Sequence, residues 1–171
     1  PDKGAGAFNN RGVAWAERGD YDKAIADFSK AIELNPNDAE AFYNRGNAWV
    51  HKGNYDKAIE DYTRAIELNP NYEEAFNNRG NAWVRKGNYD KAIEDFNKAI
   101  DLNLNYAEAF NNRGVAWVHK GNYDKAIEDY NKAIELNPND AEAFYNRGLA
   151  LALKGEYDKA MEDCTKAIEL N

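Results

Sequence analysis

The residues whose types could do chemistry are four adjacent Glu-Asp pairs, two histidines and one cysteine. The pairs are Glu60-Asp61, Glu94-Asp95, Glu128-Asp129 and Glu162-Asp163, and the others are His51, His119 and Cys164. Paired carboxylates serve as general acid and base only when they face one another across a pocket. Neighbours along a helix point in different directions, so these pairs predict solvated faces and no such site. Packed helix axes lie ~8–10 Å apart, and two histidines that are several helices apart along the chain cannot share one metal. A lone cysteine excludes an internal disulfide and a multi-cysteine metal centre. Its place in an apolar helical stripe predicts a small core residue. There is no glycine-rich phosphate loop and no Ser/His/Asp or Cys/His arrangement. The sequence therefore predicts no catalytic residue, no metal site and no cofactor.

What must position any site is a repeat. The phrase Ala39 to Tyr72, AEAFYNRGNAWVHKGNYDKAIEDYTRAIELNPNY, recurs in register as 5–38, 39–72, 73–106, 107–140 and 141–171, the last copy stopping short. A fixed period of this size predicts stacked supersecondary units whose stability comes from their neighbours, because each copy falls below the ~40 residues that can bury a core alone. Within the phrase, Ala41, Phe42, Ala48 and Trp49 recur at helical spacing, and Gly53 follows where a helix end wants positive φ. Asn54 and Asp56 supply a cap and negative charge to a second helix striped with Ala58, Ile59, Tyr62, Ala65, Ile66 and Leu68, which Asn69-Pro70 ends. Asn37 with Glu40, Asn71 with Glu74, Asn105 with Glu108 and Asn139 with Glu142 predict capping boxes. Gly46 predicts close helix contact opposite the large Tyr62, and Trp15, Trp49, Trp83 and Trp117 predict packing between the helices of a repeat.

The chain has 171 residues, 43% hydrophobic and 30% charged, with a formal net charge of −8. Nucleic-acid binding needs a basic stripe, so acidity argues against it, and interleaved Lys and Arg predict a solvated exterior. No apolar run approaches the ~20 residues of a membrane span. Pro1-Asp2-Lys3-Gly4 carries neither an initiator methionine nor a signal pattern, as expected of a piece cut from a longer chain. A soluble, cytoplasmic chain is the expectation.

With these residues laid out, residues 5 to 171 resemble the tetratricopeptide repeats, on the period together with Phe42, Gly46, Trp49, Tyr55, Ala58, Tyr62, Ala65 and Pro70 at the family's spacings. The resemblance implies a single all-α array, a right-handed superhelical solenoid of antiparallel helix pairs, whose first helices line a concave groove for an extended peptide or a partner's helix. Three departures stand out. Arg11, Arg45, Arg79, Arg113 and Arg147 replace the usual leucine before the glycine, Leu104 replaces the inter-repeat proline, and Cys164 replaces the aromatic seen at Phe28, Tyr62, Phe96 and Tyr130. Leu104 is expected to loosen one junction slightly. Each arginine has an aspartate on its second helix to pair with, as Arg45 with Asp61, and the competing pair is Lys57 with Asp61 on one helix.

The implied groove carries Asn10, Asn44, Asn78, Asn112 and Asn146, a ladder of amides able to grip an extended backbone without reading its sequence. Positions that vary between copies imply specificity: Tyr43, Asn77, Asn111 and Tyr145; Asn47 and Asn81; and His51, Arg85 and His119, with a weakly basic centre at Arg85. Glu40, Glu74 and Glu108 stand where family members that hold acidic chaperone tails carry cations, so that role is not expected. The expected function is a protein-interaction module for an extended peptide. The alternatives are a self-assembling scaffold in which uncapped terminal repeats stack end to end, the recognition arm of a larger enzyme, or a consensus-like designed repeat protein.

Overall fold

The computed structural model describes residues 3–171, and among them every regular element is a helix. In chain order these are α1 (Lys3–Glu17), α2 (Tyr21–Leu34), α3 (Ala39–His51), α4 (Tyr55–Leu68), α5 (Glu73–Arg85), α6 (Tyr89–Leu102), α7 (Ala107–His119), α8 (Tyr123–Leu136), α9 (Ala141–Leu153) and α10 (Tyr157–Leu170). None is long and apolar enough to cross a membrane. Two compact units form, one through Lys86 and one from Gly87. In the first, α1 packs on α2 and α3 on α4, while α2 and α4 also pack on the first helix that follows each. In the second, α7 packs on α8 and α9 on α10, with α6 against α7 and α8 against α9.

The turn inside a repeat follows from one glycine. Gly53 has φ of 77°, which an L side chain rarely adopts, and its N–H donates to the Val50 carbonyl at 2.9 Å. Asn54 then caps α4, its Oδ1 accepting from the Lys57 N–H at 3.1 Å, and Asn88 and Asn122 cap α6 and α8 in the same way. The turn between repeats differs from the expected capping boxes. Asp38 and Asp140 cap α3 and α9, and Tyr72 and Tyr106 precede α5 and α7 without a side-chain cap. Asn37, Asn71, Asn105 and Asn139 instead donate their backbone N–H to the side chains of Asn35, Asn69, Asn103 and Asn137, closing a short asparagine turn. Leu104 sits in this turn fully compatible with it: the Asn105 N–H bond measures 3.0 Å and the Tyr106 N–H to Asn103 carbonyl bond 3.2 Å, against 3.1 Å for each counterpart one repeat earlier.

Small residues let large ones in. A Cβ on Gly46 would lie 2.7 Å from the Tyr62 ring, and one on Gly114 would lie 2.5 Å from Tyr130, so both rings occupy the space a side chain would need. Trp15 packs with Ala24, Phe28 and Ala48, and Trp117 with Ala126, Tyr130 and Ala150, so the tryptophans join both helices of a repeat to the next. Lys23, Lys57 and Lys125 cover the open ring faces, each 4.4 Å from the indole centroid.

The arginines that replace leucine are held by the expected partner. Arg45 grips Asp61 through two bonds of 2.8 Å, and Arg11–Asp27, Arg113–Asp129 and Arg147–Asp163 repeat the fork at 2.7–2.8 Å. The remaining guanidinium nitrogen reaches back to the previous repeat, Arg45 to Ser29 at 3.1 Å, Arg79 to Thr63 at 3.1 Å, Arg113 to Asn97 at 2.8 Å and Arg147 to Asn131 at 2.9 Å. One arginine thus fixes three helices. Lys57 faces Trp49 and makes no pair with Asp61. Hydrogen bonding from Arg11 holds the Asp27 carboxyl below its usual range, whereas burial raises that of Asp129 against the pull of Arg113. A second tie between repeats runs from Lys52 to Asp22, Lys86 to Asp56, Lys120 to Asp90 and Lys154 to Asp124.

Cys164 departs from expectation. It is exposed, because among the described residues no helix packs over the outer face of α10 in the way that α9 covers α8.

Candidate functional site

The ladder asparagines bond to one another across repeats. Asn44 donates its amide to Asn9 Oδ1 at 3.2 Å, Asn78 to Tyr43 Oη at 3.0 Å, and Asn146 to Asn111 Oδ1 at 3.1 Å. In each case the acceptor is the residue just before the ladder position one repeat earlier. Burial follows: Asn77 is 0% exposed, and Asn9 and Asn111 are also buried. Asn77 and Asn111, expected to vary on an open surface, therefore lie behind it. Helical spacing could not separate the two sides of a first helix, one of which meets the neighbouring helix pair. Asn111 additionally donates to Glu142 at 3.4 Å, and Asn77 to Asn78 at 3.4 Å. Asn10 is exposed on α1, and Asn112 is half-buried on α7.

In the first unit, five of the expected residues come together. Asn47 and His51 on α3, with Asn78, Asn81 and Arg85 on α5, line a pocket of about 550 Å³ whose remaining walls include Val50, Tyr55, Tyr62 and Val84. The spacing explains the convergence, since Asn78, Asn81 and Arg85 recur every three or four residues along one helix face. Tyr62 forms the base. Its hydroxyl donates to Asn47 Oδ1 at 2.6 Å, and Asn78 donates to the same oxygen at 3.0 Å. The Asn47 carbonyl is thereby saturated, and its NH2 group and the whole Asn81 amide keep no partner among the described residues. Burial, reinforced by neighbouring Tyr43, pushes the Tyr62 phenol far above its ordinary range, so it stays a donor at every physiological pH. Tyr43 itself packs tilted against Tyr72 with centroids 4.8 Å apart.

The rim is built on tyrosines that the sequence reading overlooked. His51 stacks flat on Tyr21 at 4.6 Å, Arg85 lies over Tyr55 at 5.1 Å, and in the second unit His119 stacks on Tyr89 at 4.7 Å. The signal was available: a tyrosine directly after each first-to-second helix turn, thirty residues before the variable position that rests on it. The second unit presents different chemistry at the same repeat positions. Val115, Leu149 and Leu153 stand where Asn47, Asn81 and Arg85 stand in the first, and Leu149, Leu153 and Tyr145 are exposed. Asn146 borders them from α9.

A helix-turn-helix repeat whose first helices carry variable polar and apolar residues on a rigid, arginine-clamped frame is a protein-interaction scaffold of the repeat class. The chain belongs to the tetratricopeptide-repeat family: the family's repeat models match residues 39–72, 73–106 and 141–171, and a further TPR repeat model matches 12–52 and 116–155. It is a protein–protein interaction module with the all-α solenoid fold of that family. Solved structures agree. The chain is 32% identical to MamA over 93% of each chain, with a TM-score of 0.84. It is 29% identical to YrrB, described as a TPR protein with an unusual peptide-binding site, covering 96% of this chain and 84% of that one at a TM-score of 0.77. A MamA fragment from Desulfovibrio magneticus RS-1 shares the fold at a TM-score of 0.90 and 24% identity, over 99% of this chain and 96% of that one. No curated protein sequence matches the chain.

Proposed function

We propose that this module holds an extended segment of a partner protein on the surface lined by its first helices, with the pocket between α3 and α5 as an anchoring point in the first unit. The observation that carries the reading is the set of uncommitted donors, the Asn47 NH2, Asn81 and Arg85, brought into one pocket beside ladder asparagines that are bonded to neighbouring side chains. Asn44, Asn78 and Asn146 serve this surface by fixing the spacing between first helices. Asn10, Tyr145 and His119 supply exposed contacts, and the apolar Leu149 and Leu153 suit apolar side chains of the segment. Acidic tails fit poorly, because Glu40, Glu108 and Glu142 are exposed near the starts of the first helices. Titration of fluorescent, acetylated and amidated random peptide pools tests this. Saturable binding that weakens at least about fivefold, roughly 1 kcal/mol, in Asn47→Ala/Asn81→Ala is expected. Failure of every pool to saturate overturns it.

End-to-end association is the second reading, favoured by the two outer faces. Ala7 and Ala14 are exposed on α1, although Ala41, Ala75, Ala109 and Ala143, and Ala48, Ala82, Ala116 and Ala150, are all buried. On α10, Met161 and Ile168 are 60% and 74% exposed, whereas Ile93 and Ile100 at the same positions are buried. Both faces have the form that receives another repeat. Light scattering across a concentration series tests it: a rising mass supports a second copy as the occupant, and a constant monomer mass rejects it.

A further inference from the structure

We propose that the pocket between α3 and α5 takes a carboxylate of the bound segment, with Arg85 as its ionic partner. This rests on the reading that the first helices hold an extended peptide, and it assigns the chemistry read at one point of that peptide.

Three observations converge. First, the pocket is lined by no acidic residue although the chain carries a net charge of −8. Second, Arg85 forms no ion pair among the described residues, as Arg18 over Trp15 forms none, and of these two it is Arg85 that lines the pocket. Arg11, Arg45, Arg113 and Arg147 each grip an aspartate, and Arg64 pairs with Glu67, but Arg85 has no carboxylate within ion-pair distance among the described residues. Its guanidinium carbon lies instead 5.1 Å from the Tyr55 ring centroid, and its N–H donors make no hydrogen bond among the described residues. Third, the amides available beside it are donors without partners, the Asn47 NH2 and the Asn81 side chain, while Asn78 is consumed by Tyr43 and Asn47. A carboxylate accepts up to four such bonds; a neutral amide would satisfy the asparagines but leave the arginine unpaired.

The walls narrow the source. Val50, Val84 and the Tyr62 ring flank the polar groups, and this mixture suits the methylene stem and carboxylate of glutamate more closely than a bulky, fully hydrated phosphate. Sequence supports the localisation: the equivalent of Arg85 is Leu153 in the last repeat, and the equivalents of Asn47 and Asn81 there and in the repeat before are Leu149 and Val115. Carboxylate reading therefore belongs to this pocket and is not a property of the repeat as such.

The test uses the whole chain and four acetylated peptide pools: amidated pools with a fixed central Glu, Gln or phosphoserine, and a Gln pool ending in a free carboxylate. The Glu pool is expected to bind roughly tenfold more tightly than the amidated Gln pool at low salt, with the ratio shrinking at high salt. Arg85→Leu should equalise the two pools while the helical signal and unfolding midpoint stay unchanged, and Arg85→Lys should keep part of the preference. A preference confined to the free-terminus pool and lost in Arg85→Leu upholds the chemistry and assigns the carboxylate to a chain end. Equal binding of the Glu, amidated Gln and free-terminus pools, a preference that survives Arg85→Leu, or tighter binding of phosphoserine than of either carboxylate pool overturns the assignment while leaving the peptide-binding reading intact. No saturable binding by any pool overturns both.

Discussion

Replacing Arg45 tests the frame on which everything else rests. Asp61 is 5% exposed and receives two guanidinium bonds of 2.8 Å, so Arg45→Leu leaves a buried carboxylate without its counter-ion. Breaking such a pair from one side costs ~3–5 kcal/mol. Water reaches the pair past the partly exposed arginine, which favours the lower end, and loss of the Ser29 bond and of packing on Phe42 adds back about 1 kcal/mol. The expected cost is therefore about 3–4 kcal/mol, and Asp61→Leu should fall in a similar range because it buries an unpaired guanidinium. The double variant Arg45→Leu/Asp61→Leu restores an apolar contact of the kind leucine makes in other repeats, and it is expected within ~1 kcal/mol of the parent. Urea unfolding followed by circular dichroism gives all four corners of the cycle, with the slope checked because a repeat array can unfold in parts. Lys57→Ala provides the control, since Lys57 sits on Trp49 and should leave the coupling unchanged. A single variant that loses less than ~1 kcal/mol, or a double variant whose loss equals the sum of the singles, would refute the clamp.

Gly46→Ala places a Cβ 2.7 Å from the buried Tyr62 ring and should cost ~1–3 kcal/mol despite the better helix propensity of alanine, whereas Gly148→Ala meets the exposed Cys164 sulfur at 3.1 Å, the Ala160 carbonyl at 3.2 Å and the Asp163 Cβ at 3.3 Å and should cost less; equal midpoint shifts would contradict the packing argument. Alkaline stability provides a second check. Burial raises the folded-state pKa of Tyr62 and Tyr130 above the unfolded value, so their contribution is complete below the ordinary tyrosine pKa of ~10 and is lost as pH rises beyond it. These two residues should steepen the loss by up to ~3 kcal/mol per pH unit, and Tyr62→Phe/Tyr130→Phe should flatten it, as Phe28 and Phe96 already stand at that position; an unchanged slope would show that the phenols are not buried. Asp27 works in the opposite sense. Arg11 lowers its folded-state pKa, so that stabilisation is present above the unfolded value and lost as pH falls below it, and Asp27→Asn should blunt acid unfolding of the first unit as followed by exchange of α1 and α2 amides.

Much of this was legible because the repeat states each rule several times. Gly46 against Tyr62, Gly53 with positive φ and Asn54 as a cap each follow from a residue type at a fixed place in one helix pair, where local geometry decides the outcome. The arginine before the glycine was legible for a related reason: a cation at a packed position demands an anion, and only the second helix offered one. What failed depended on contacts between repeats. Asn37 and Glu40 had the spacing of a capping box, but the side chain of Asn35 captures the Asn37 N–H first, and Asp38 stands one residue nearer the helix. Asn77 and Asn111 shared a helix face with true surface residues, and for Asn111 it is the arrival of α9, with Glu142 and Asn146 bonded to it, that closes that face. Cys164 had a core position in the stripe, and its exposure follows from the open face of α10. The tyrosine platforms under His51, Arg85 and His119 went unseen because a stacked pair thirty residues apart has no local signature.

Hydrogen exchange of the chain with and without the tightest peptide pool addresses the central claim most directly. Peptide-induced protection is predicted on the first helices, strongest over Asn47–His51 of α3 and Asn78–Arg85 of α5, with the second helices changed little. Protection concentrated on α2, α4, α8 or α10 would place the partner on the opposite surface and contradict the account.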